Sequence, residues 1–174
     1  GRAGGPLRKP LARAGWTVAR VALEHIGGTC VNEGRTPPKT LVASARVAHR
    51  ARRAADYGVI TGPITVDMEV VRERKRDIVN DFRSGSEKGV AETEGLDYFE
   101  GEARFTGPKA LTVRLNEGGE RAITAERIFI NSGQRPTVPD IEGLKGVPFL
   151  TSTTIMELGA VPEHLLVLGG GFIG

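Results

Sequence analysis

The sequence predicts a mixed α/β fold, and three observations support that prediction. Two short apolar runs read as strands leading into glycine-rich turns, and segments with helical spacing of apolar residues follow the first of them. Three further strand-like runs follow one another with turns between them, which is typical of a small antiparallel meander. The chain has 174 residues, of which 39% are hydrophobic and 26% charged, and this suits about one globular domain.

The first half of the chain is predicted to hold helices and one strand. A helix is expected over residues 7–14 and a strand over residues 17–23. Pro37 and Pro38 suit the first turn of a second helix, because proline lacks the N–H that a helix leaves unpaired there. A third helix is expected to begin at residues 65–67, and its apolar residues are spaced to form one stripe: Met68, Val71, Ile78, Val79 and Phe82.

The second half is predicted to consist mainly of strands. The expected meander strands cover residues 97–105, 110–115 and 121–130. A stretch rich in proline and glycine over residues 134–148 reads as a connector, and residues 165–168 read as a further strand.

The charge and the cysteine content narrow the possible functions. The net charge is +3 and the sequence pI is about 9.3, but basic and acidic residues are intermixed. The densest stretch, residues 72–77, reads as a solvated helix face with internal pairing, so we expect no nucleic-acid partner. No apolar run reaches the roughly 20 residues of a membrane span, so no membrane partner is expected. A single cysteine excludes an intrachain disulfide and is consistent with a cytoplasmic location.

The chain ends in a glycine motif. Its last six residues, GGGFIG, follow an apolar run and fit the spacing G-x-G-x-x-G through Gly169, Gly171 and Gly174. That spacing lets a strand turn tightly into a helix and lets the backbone approach a dinucleotide pyrophosphate, although an ordinary glycine-rich turn gives the same pattern. Gly1 and Gly4 match the last two glycines of a second such motif. Because the chain begins with glycine and stops inside this turn, we expect it to be truncated at both ends.

The most specific motif is GGTCVNEGRTPPK, at residues 27–39. It resembles G-G-T-C-x-N-x-G-C-x-P-x-K, the redox motif of the pyridine nucleotide-disulfide oxidoreductases (class I), at every fixed position except Arg35. The following residues 40–49, TLVASARVAH, are similar to the mercuric reductase and dihydrolipoamide dehydrogenase-like branch of that family.

Other segments resemble the same family in the expected order. Residues 101–105 are similar to the strand whose backbone meets the adenine of FAD, which points to Ala103. Residues 128–136 resemble the second FAD motif, a strand that ends in a turn formed here by Ser132 and Gly133. The last residues of the chain resemble the entry into the NAD(P)H domain.

The resemblance implies a Rossmann-type, three-layer FAD-binding domain over residues 1–150 that lacks its first strand and carries a helical and β-meander insertion. Residues 151–174 would begin an NAD(P)H-binding domain. The implied cofactors are FAD and NAD(P)H, with no metal site, and the implied activity is hydride transfer from NAD(P)H through FAD to a disulfide, metal-ion or other small-molecule substrate. A homodimer is implied for full-length members, but not for this fragment.

The resemblance also implies site residues. Gly28 and Thr29 would lie against FAD, Lys39 would bind and polarise the flavin, and Cys30 would be the cysteine that exchanges with substrate. Arg35 occupies the position of the second redox cysteine, the one nearest the flavin. A guanidinium stays protonated and forms no disulfide, so an intrachain dithiol cycle cannot operate.

Two further positions depart from the family pattern. Ala22 stands where a glutamate usually binds the FAD ribose, and Glu24 lies two residues away on the same strand face; loss of that contact would weaken binding by about 1.5–3 kcal/mol. Pro10 falls inside the first predicted helix, where proline costs about 3 kcal/mol. Three interpretations remain open: an oxidoreductase fragment inactive alone, a remnant that no longer holds FAD, and a flavin protein without dithiol chemistry.

Overall fold

The computed structural model describes residues 4–173, apart from the side chains of residues 4, 5, 8 and 9. The motif glycines predicted at Gly1 and Gly174 therefore lie outside the described residues. The chain divides into two compact units. The first unit comprises Gly1–Asn32 and Asp81–Gln134, and the second comprises Glu33–Asn80 and Arg135–Gly174. The domain boundary predicted after residue 150 falls inside the second unit and stays a prediction.

The first unit contains one whole helix, residues 81–91 of a longer helix, and a four-stranded sheet. Helix α1 covers Gly4–Arg13 and contacts strand β1, Val18–Ala22. Strands β2, β3 and β4 cover Leu96–Gly107, Ala110–Leu115 and Glu120–Thr124, and the sheet order is β1-β2-β3-β4. Strand β1 pairs with β2 in parallel, whereas β2, β3 and β4 pair as antiparallel neighbours. The predicted α/β fold with a β-meander is thus confirmed.

Close backbone packing in the sheet requires glycine at one position of β2. Val113, in the middle of β3, is fully buried and pairs with Ala103. A Cβ atom added to Gly101 would lie 2.2 Å from the backbone oxygen of Arg114 on β3. Any side chain at position 101 would therefore force β3 away from β2.

Helix α1 is continuous across Pro10. The N–H that proline lacks would bond to the carbonyl of Pro6, in the first turn of the helix. On the other side, the Ala14 N–H donates to the Pro10 carbonyl oxygen at 3.0 Å, and Gly15 follows with a φ of 81°. The helix therefore accommodates the proline and ends where the sequence indicates.

The second unit holds helix α2, Thr36–Arg52, and the first half of helix α3, Met68–Ala91. Helix α2 begins with the two predicted prolines. Helix α3 begins after Asp67, whose carboxylate accepts the N–H groups of Glu69 and Val70 at 2.9 and 3.1 Å, as a helix N-cap does. Three short 3-10 turns complete the unit, at Ala54–Tyr57, Leu144–Gly146 and Thr154–Glu157.

One predicted strand is too long, and another is wrong. Strand β4 ends at Thr124, so residues 125–130 are not part of the sheet, and residues 165–168 have no regular secondary structure. Phe129 and Leu166 are 58% and 87% exposed. An apolar run becomes a strand only when a neighbour supplies backbone partners, and no described strand pairs with either segment.

The charged face predicted on α3 is also wrong in part. Lys75 is only 3% exposed, although residues 72–77 read as solvated. The predicted internal pairing is limited to Arg76 and Glu73, whose charged atoms lie 3.4 Å apart. In the predicted apolar stripe of the same helix, Phe82 is 58% exposed, whereas the other four members are buried or half-buried.

Candidate functional site

The redox-motif residues begin with a tight turn in the first unit. Gly27 and Gly28 have φ values of 104° and 58°, in the left-handed region that favours glycine. A Cβ atom added to Gly27 would lie 2.7 Å from the Cβ of Val31, so no larger residue fits. Cys30 follows, half-buried, as the first residue of a π-helical turn that covers Cys30–Gly34.

The side chain of Asn32 holds this turn. Its Nδ2 donates to the carbonyl oxygens of Ile26 at 3.1 Å and Gly28 at 3.0 Å. Its Oδ1 accepts a hydrogen bond from the Nε of Arg83, on α3, at 3.1 Å. The family motif contains Asn32 without assigning it a role. Arg83 was missed because it is separated from Asn32 by 51 residues and no sequence signal links the two.

The structure brings two predicted FAD-binding segments together. A Cβ atom added to Gly133, which has a φ of 80°, would lie 4.0 Å from the Oγ1 of Thr29. Ser132, the neighbour of Gly133, is exposed, whereas Thr29 is half-buried. Thr29 and Gly133 are far apart in sequence, and the fold nevertheless makes them neighbours.

Arg35 and Lys39 both lie at the beginning of α2. Arg35 is the N-cap residue, with φ −129° and ψ −55°, and its side chain makes no capping hydrogen bond. Its carbonyl oxygen accepts the Lys39 N–H at 3.3 Å, and both side chains are exposed. A cation near a helix N-terminus is unfavourable by about 0.3–1 kcal/mol, so helix stability does not explain arginine at this position.

The remaining predicted site residues lie elsewhere. Ala103 is exposed on β2, opposite Val113, and Gly4 is the first residue of α1. Gly169, with a φ of 106°, and Gly171 lie in an exposed segment of the second unit.

One of the positions that depart from the family pattern, Ala22, lies at the end of β1. Ala22 is the last residue of the strand, and Glu24 is exposed two residues later. Between them, the carbonyl oxygen of Leu23 accepts a hydrogen bond from Asn116 Nδ2 at 2.8 Å, which ties this strand end to the turn between β3 and β4.

A cluster of charges in the second unit was also missed. Lys75 forms an ion pair with Glu157, and Arg76 Nη2 lies 2.8 Å from the same carboxylate. Arg72 Nη1 donates to the Glu157 carbonyl oxygen at 3.3 Å. Burial on its own raises the pKa of Glu157, but the hydrogen bonds and charges of Lys75 and Arg76 together hold it below its ordinary value. The cluster ties α3 to the Thr154–Glu157 turn.

The part of the chain that the structure describes offers a surface pocket away from the predicted site, no metal-binding cluster and no membrane-spanning helix. A surface pocket on the meander contains no predicted site residue and is lined by Gly107, Pro108, Lys109, Ala110, Thr124, Ala125 and Glu126. Within residues 4–173, no group of three or more His, Cys, Asp or Glu side chains is arranged to hold a metal ion. None of the described helices has the length and apolar character needed to cross a membrane.

The parallel strand pair, the β-meander and the glycine turn leading to Cys30 agree with a Rossmann-type FAD-binding domain. The chain belongs to the pyridine nucleotide-disulphide oxidoreductase family, whose model matches residues 1–174. FAD and NAD(P)H are the cofactors of this family.

Individual relatives agree with the family assignment. Mercuric reductase of Streptomyces lividans is 38% identical over 161 residues, which cover 92% of this chain and 34% of that protein. The probable pyridine nucleotide-disulfide oxidoreductase RclA of Escherichia coli is 36% identical over 179 residues, covering 100% of this chain and 36% of that protein. This chain therefore spans about a third of the length of these two relatives.

A solved structure matches the fold closely. The Cu(II) complex of the HOCl-induced flavoprotein disulfide reductase RclA from Escherichia coli superposes with a TM-score of 0.83 at 35% identity. The match covers 99% of this chain and 36% of that chain. The fold described above is thus the fold of a region of a flavoprotein disulfide reductase.

Proposed function

We propose that this chain is the FAD-binding part of an NAD(P)H-dependent flavin oxidoreductase of the mercuric reductase-like branch, with its dithiol step removed at position 35. The observation that carries the proposal is the redox motif, which matches the family pattern at every fixed position except Arg35. In this proposal residues 1–150 form the FAD-binding domain and residues 151–174 begin the NAD(P)H-binding domain.

The local geometry supports a flavin nucleotide close to the glycine turn. Gly133 has no side chain, and Thr29, which lies close to it, has a small polar one. A ligand can therefore approach the backbone closely at this point. The ribose position is less favourable, because Ala22 offers no polar side chain and only exposed Glu24 stands near it in the sequence. We therefore expect FAD to bind with about 1.5–3 kcal/mol less free energy than with a glutamate at position 22.

The cofactor-binding residues are assigned by the resemblance together with these positions. The FAD side comprises Gly1, Gly4, Gly28, Thr29, Lys39, Ala103, Ser132 and Gly133. The NAD(P)H side comprises Gly169, Gly171 and Gly174. When bound, FAD supplies the hydride-accepting group, and the protein supplies position and charge. Lys39, exposed near the start of α2, contributes a positive charge that polarises the flavin.

The chemistry of Cys30 is limited by the residue type at position 35. A Cys30 thiolate that attacks a disulfide forms one new S–S bond, breaks the old one and releases one substrate thiol. The resulting mixed disulfide needs a second thiol to release the other half of the substrate, and Arg35 cannot supply it. The chain therefore cannot complete a dithiol cycle by itself, and we expect it to be inactive as a disulfide reductase.

Arg35 favours a second candidate function, a flavin protein that passes electrons directly to oxygen or a quinone. Such a protein needs FAD and NAD(P)H but no cysteine pair. A third interpretation, a remnant that no longer holds FAD, follows from Ala22 and predicts no flavin at all.

Flavin binding by the purified chain tests the proposal. The chain is incubated with FAD, unbound FAD is removed by gel filtration, and visible absorbance is recorded. We expect retained flavin; protein that emerges without it would overturn the proposal and favour the remnant.

A matched pair of variants tests the location of the flavin. Gly133→Val places a side chain against Thr29, whereas Gly143→Val imposes the same left-handed strain, at a φ of 82°, with nothing within 4 Å. We expect flavin loss in the first variant only. Equal loss in both would contradict the assigned location.

A chimera separates the first two functions. This chain replaces the matching region of the Streptomyces lividans mercuric reductase, and NAD(P)H oxidation is followed with oxygen or mercuric ion as acceptor. We expect no mercuric-ion-dependent oxidation by the arginine form and its appearance after Arg35→Cys, whereas fast oxygen-dependent oxidation by the arginine form would favour the second candidate. Mercuric-ion reduction by the arginine form would contradict loss of the dithiol step.

A further inference from the structure

Asn32 links the two sides of the segment that carries Cys30. Its Nδ2 bonds to the Gly28 carbonyl oxygen, two residues before Cys30, while Asn32 itself lies two residues after it. The same Nδ2 reaches back to the carbonyl oxygen of Ile26, which is 2% exposed and anchors the turn in the core. Cys30 therefore sits in the middle of a short loop that one side chain closes.

Arg83 fixes the orientation of the Asn32 amide. An asparagine amide has two donors on nitrogen and an acceptor on oxygen, and it can hold this turn only with nitrogen toward the two carbonyls. The Arg83 Nε donates to Oδ1 at 3.1 Å, and a flipped amide would turn an N–H group toward the guanidinium. The half-buried Arg83 side chain thus selects the orientation in which both carbonyl bonds form.

We propose that Arg83 is a positioning residue that acts through Asn32 to hold Cys30 half-buried at the end of the glycine turn. The positioning of Cys30 is inferred from hydrogen bonds within the first unit. The role of Cys30 as the attacking thiol rests on the proposed function. Loss of the Arg83–Asn32 bond should release the turn and expose the Cys30 sulfur.

Alkylation of Cys30 by iodoacetamide measures this release directly, because the chain has one cysteine. The rate is recorded in the whole 174-residue chain as a function of pH. The plateau at high pH reports access to the thiolate, and the midpoint reports its electrostatic surroundings. The fold of each variant is checked by circular dichroism.

Arg83→Met removes the donor and keeps an apolar stem, and Asn32→Leu removes the whole bridge. A hydrogen bond from a charged donor corresponds to about a tenfold change in the opening equilibrium, so each variant should raise the plateau rate about tenfold or more. Arg83→Lys keeps a donor and should restore most of the slow rate. Lys88→Met, which removes an exposed charge from the same helix, should leave the plateau within twofold of the parent chain.

The double variant Asn32→Leu with Arg83→Met should alkylate no faster than Asn32→Leu alone, because Arg83 acts through Asn32. Unchanged plateau rates, additive effects, or an equal rise in Lys88→Met would overturn the proposal. If Asn32→Leu fails to fold, the comparison of Arg83→Met with Arg83→Lys decides the matter. Flavin absorbance of the same samples reports on the proposed function separately, since alkylation needs no FAD.

Discussion

Replacing Glu157 by glutamine should destabilise the second unit strongly, although Glu157 itself is half exposed. The carboxylate faces Lys75, whose side chain is 3% exposed and forms an ion pair with Glu157. Glutamine keeps the size and one acceptor but removes the charge, so Glu157→Gln leaves the Lys75 ammonium buried beside a neutral group.

The size of the effect follows from the burial of the two partners. Breaking a fully buried ion pair by removing one charge costs about 3–5 kcal/mol. Because the Glu157 side chain is 50% exposed, water screens part of the interaction, and we expect a loss of about 2–3 kcal/mol in the free energy of unfolding. Lys75→Met should cost less than about 1 kcal/mol, since it leaves no buried charge and Arg76 still pairs with Glu157.

The stabilisation that the Glu157 carboxylate provides should decrease as the pH falls. Burial alone raises the pKa of Glu157, but Lys75 and Arg76 bring it below its ordinary value of 4.5 in the folded chain. A carboxylate with a depressed folded-state pKa stabilises the fold above its unfolded-state pKa and loses that contribution as pH falls through the folded-state value. The difference between the parent chain and Glu157→Gln should therefore be constant above about pH 5 and shrink below it.

Urea unfolding followed by circular dichroism gives the comparison, with each variant measured at neutral pH and at several pH values down to the acid transition. Glu157→Gln should have the lower midpoint and Lys75→Met a midpoint near that of the parent chain. A larger loss in Lys75→Met than in Glu157→Gln, or a difference that grows as pH falls, would refute the reasoning.

Two other predictions concern local geometry and use the same unfolding assay. Gly101→Ala should cost about 3 kcal/mol, because its Cβ would lie 2.2 Å from the Arg114 backbone oxygen. Gly85→Ala, on α3 with nothing within 4 Å, should instead stabilise by up to about 1 kcal/mol, and equal effects would contradict the packing argument. Asp67→Ala should cost about 1 kcal/mol through loss of the α3 N-cap, while Asp67→Asn stays near neutral; a neutral alanine variant would show that the cap contributes nothing.

Features with local chemical causes were predictable from the sequence. Pro37 marks the start of α2, and Asp67 caps α3, because each residue acts on backbone groups within one helical turn. The meander was predictable for the same reason, since its turns are marked by glycine, proline and asparagine. The redox motif identified the family because its residues lie within one short segment.

Features that depend on distant partners were not predictable. Residues 165–168 have the composition of a strand, but pairing requires a neighbour that composition does not reveal. Lys75 looks like any helix-surface lysine, and its ion-pair partner Glu157 lies 82 residues away in the sequence. Arg83 likewise gains its role from Asn32. The assignment of individual FAD-binding residues stays a prediction, because it came from the resemblance.

The proposal that Arg35 stands in place of the second redox cysteine is tested most directly by one spectrum. The FAD-loaded chain and its Arg35→Cys variant are each reduced by two electrons, and their visible spectra are recorded. The variant should develop a long-wavelength band from a thiolate at position 35 against the flavin, and the parent chain should lack it. The same band in the parent chain would contradict the assignment of position 35.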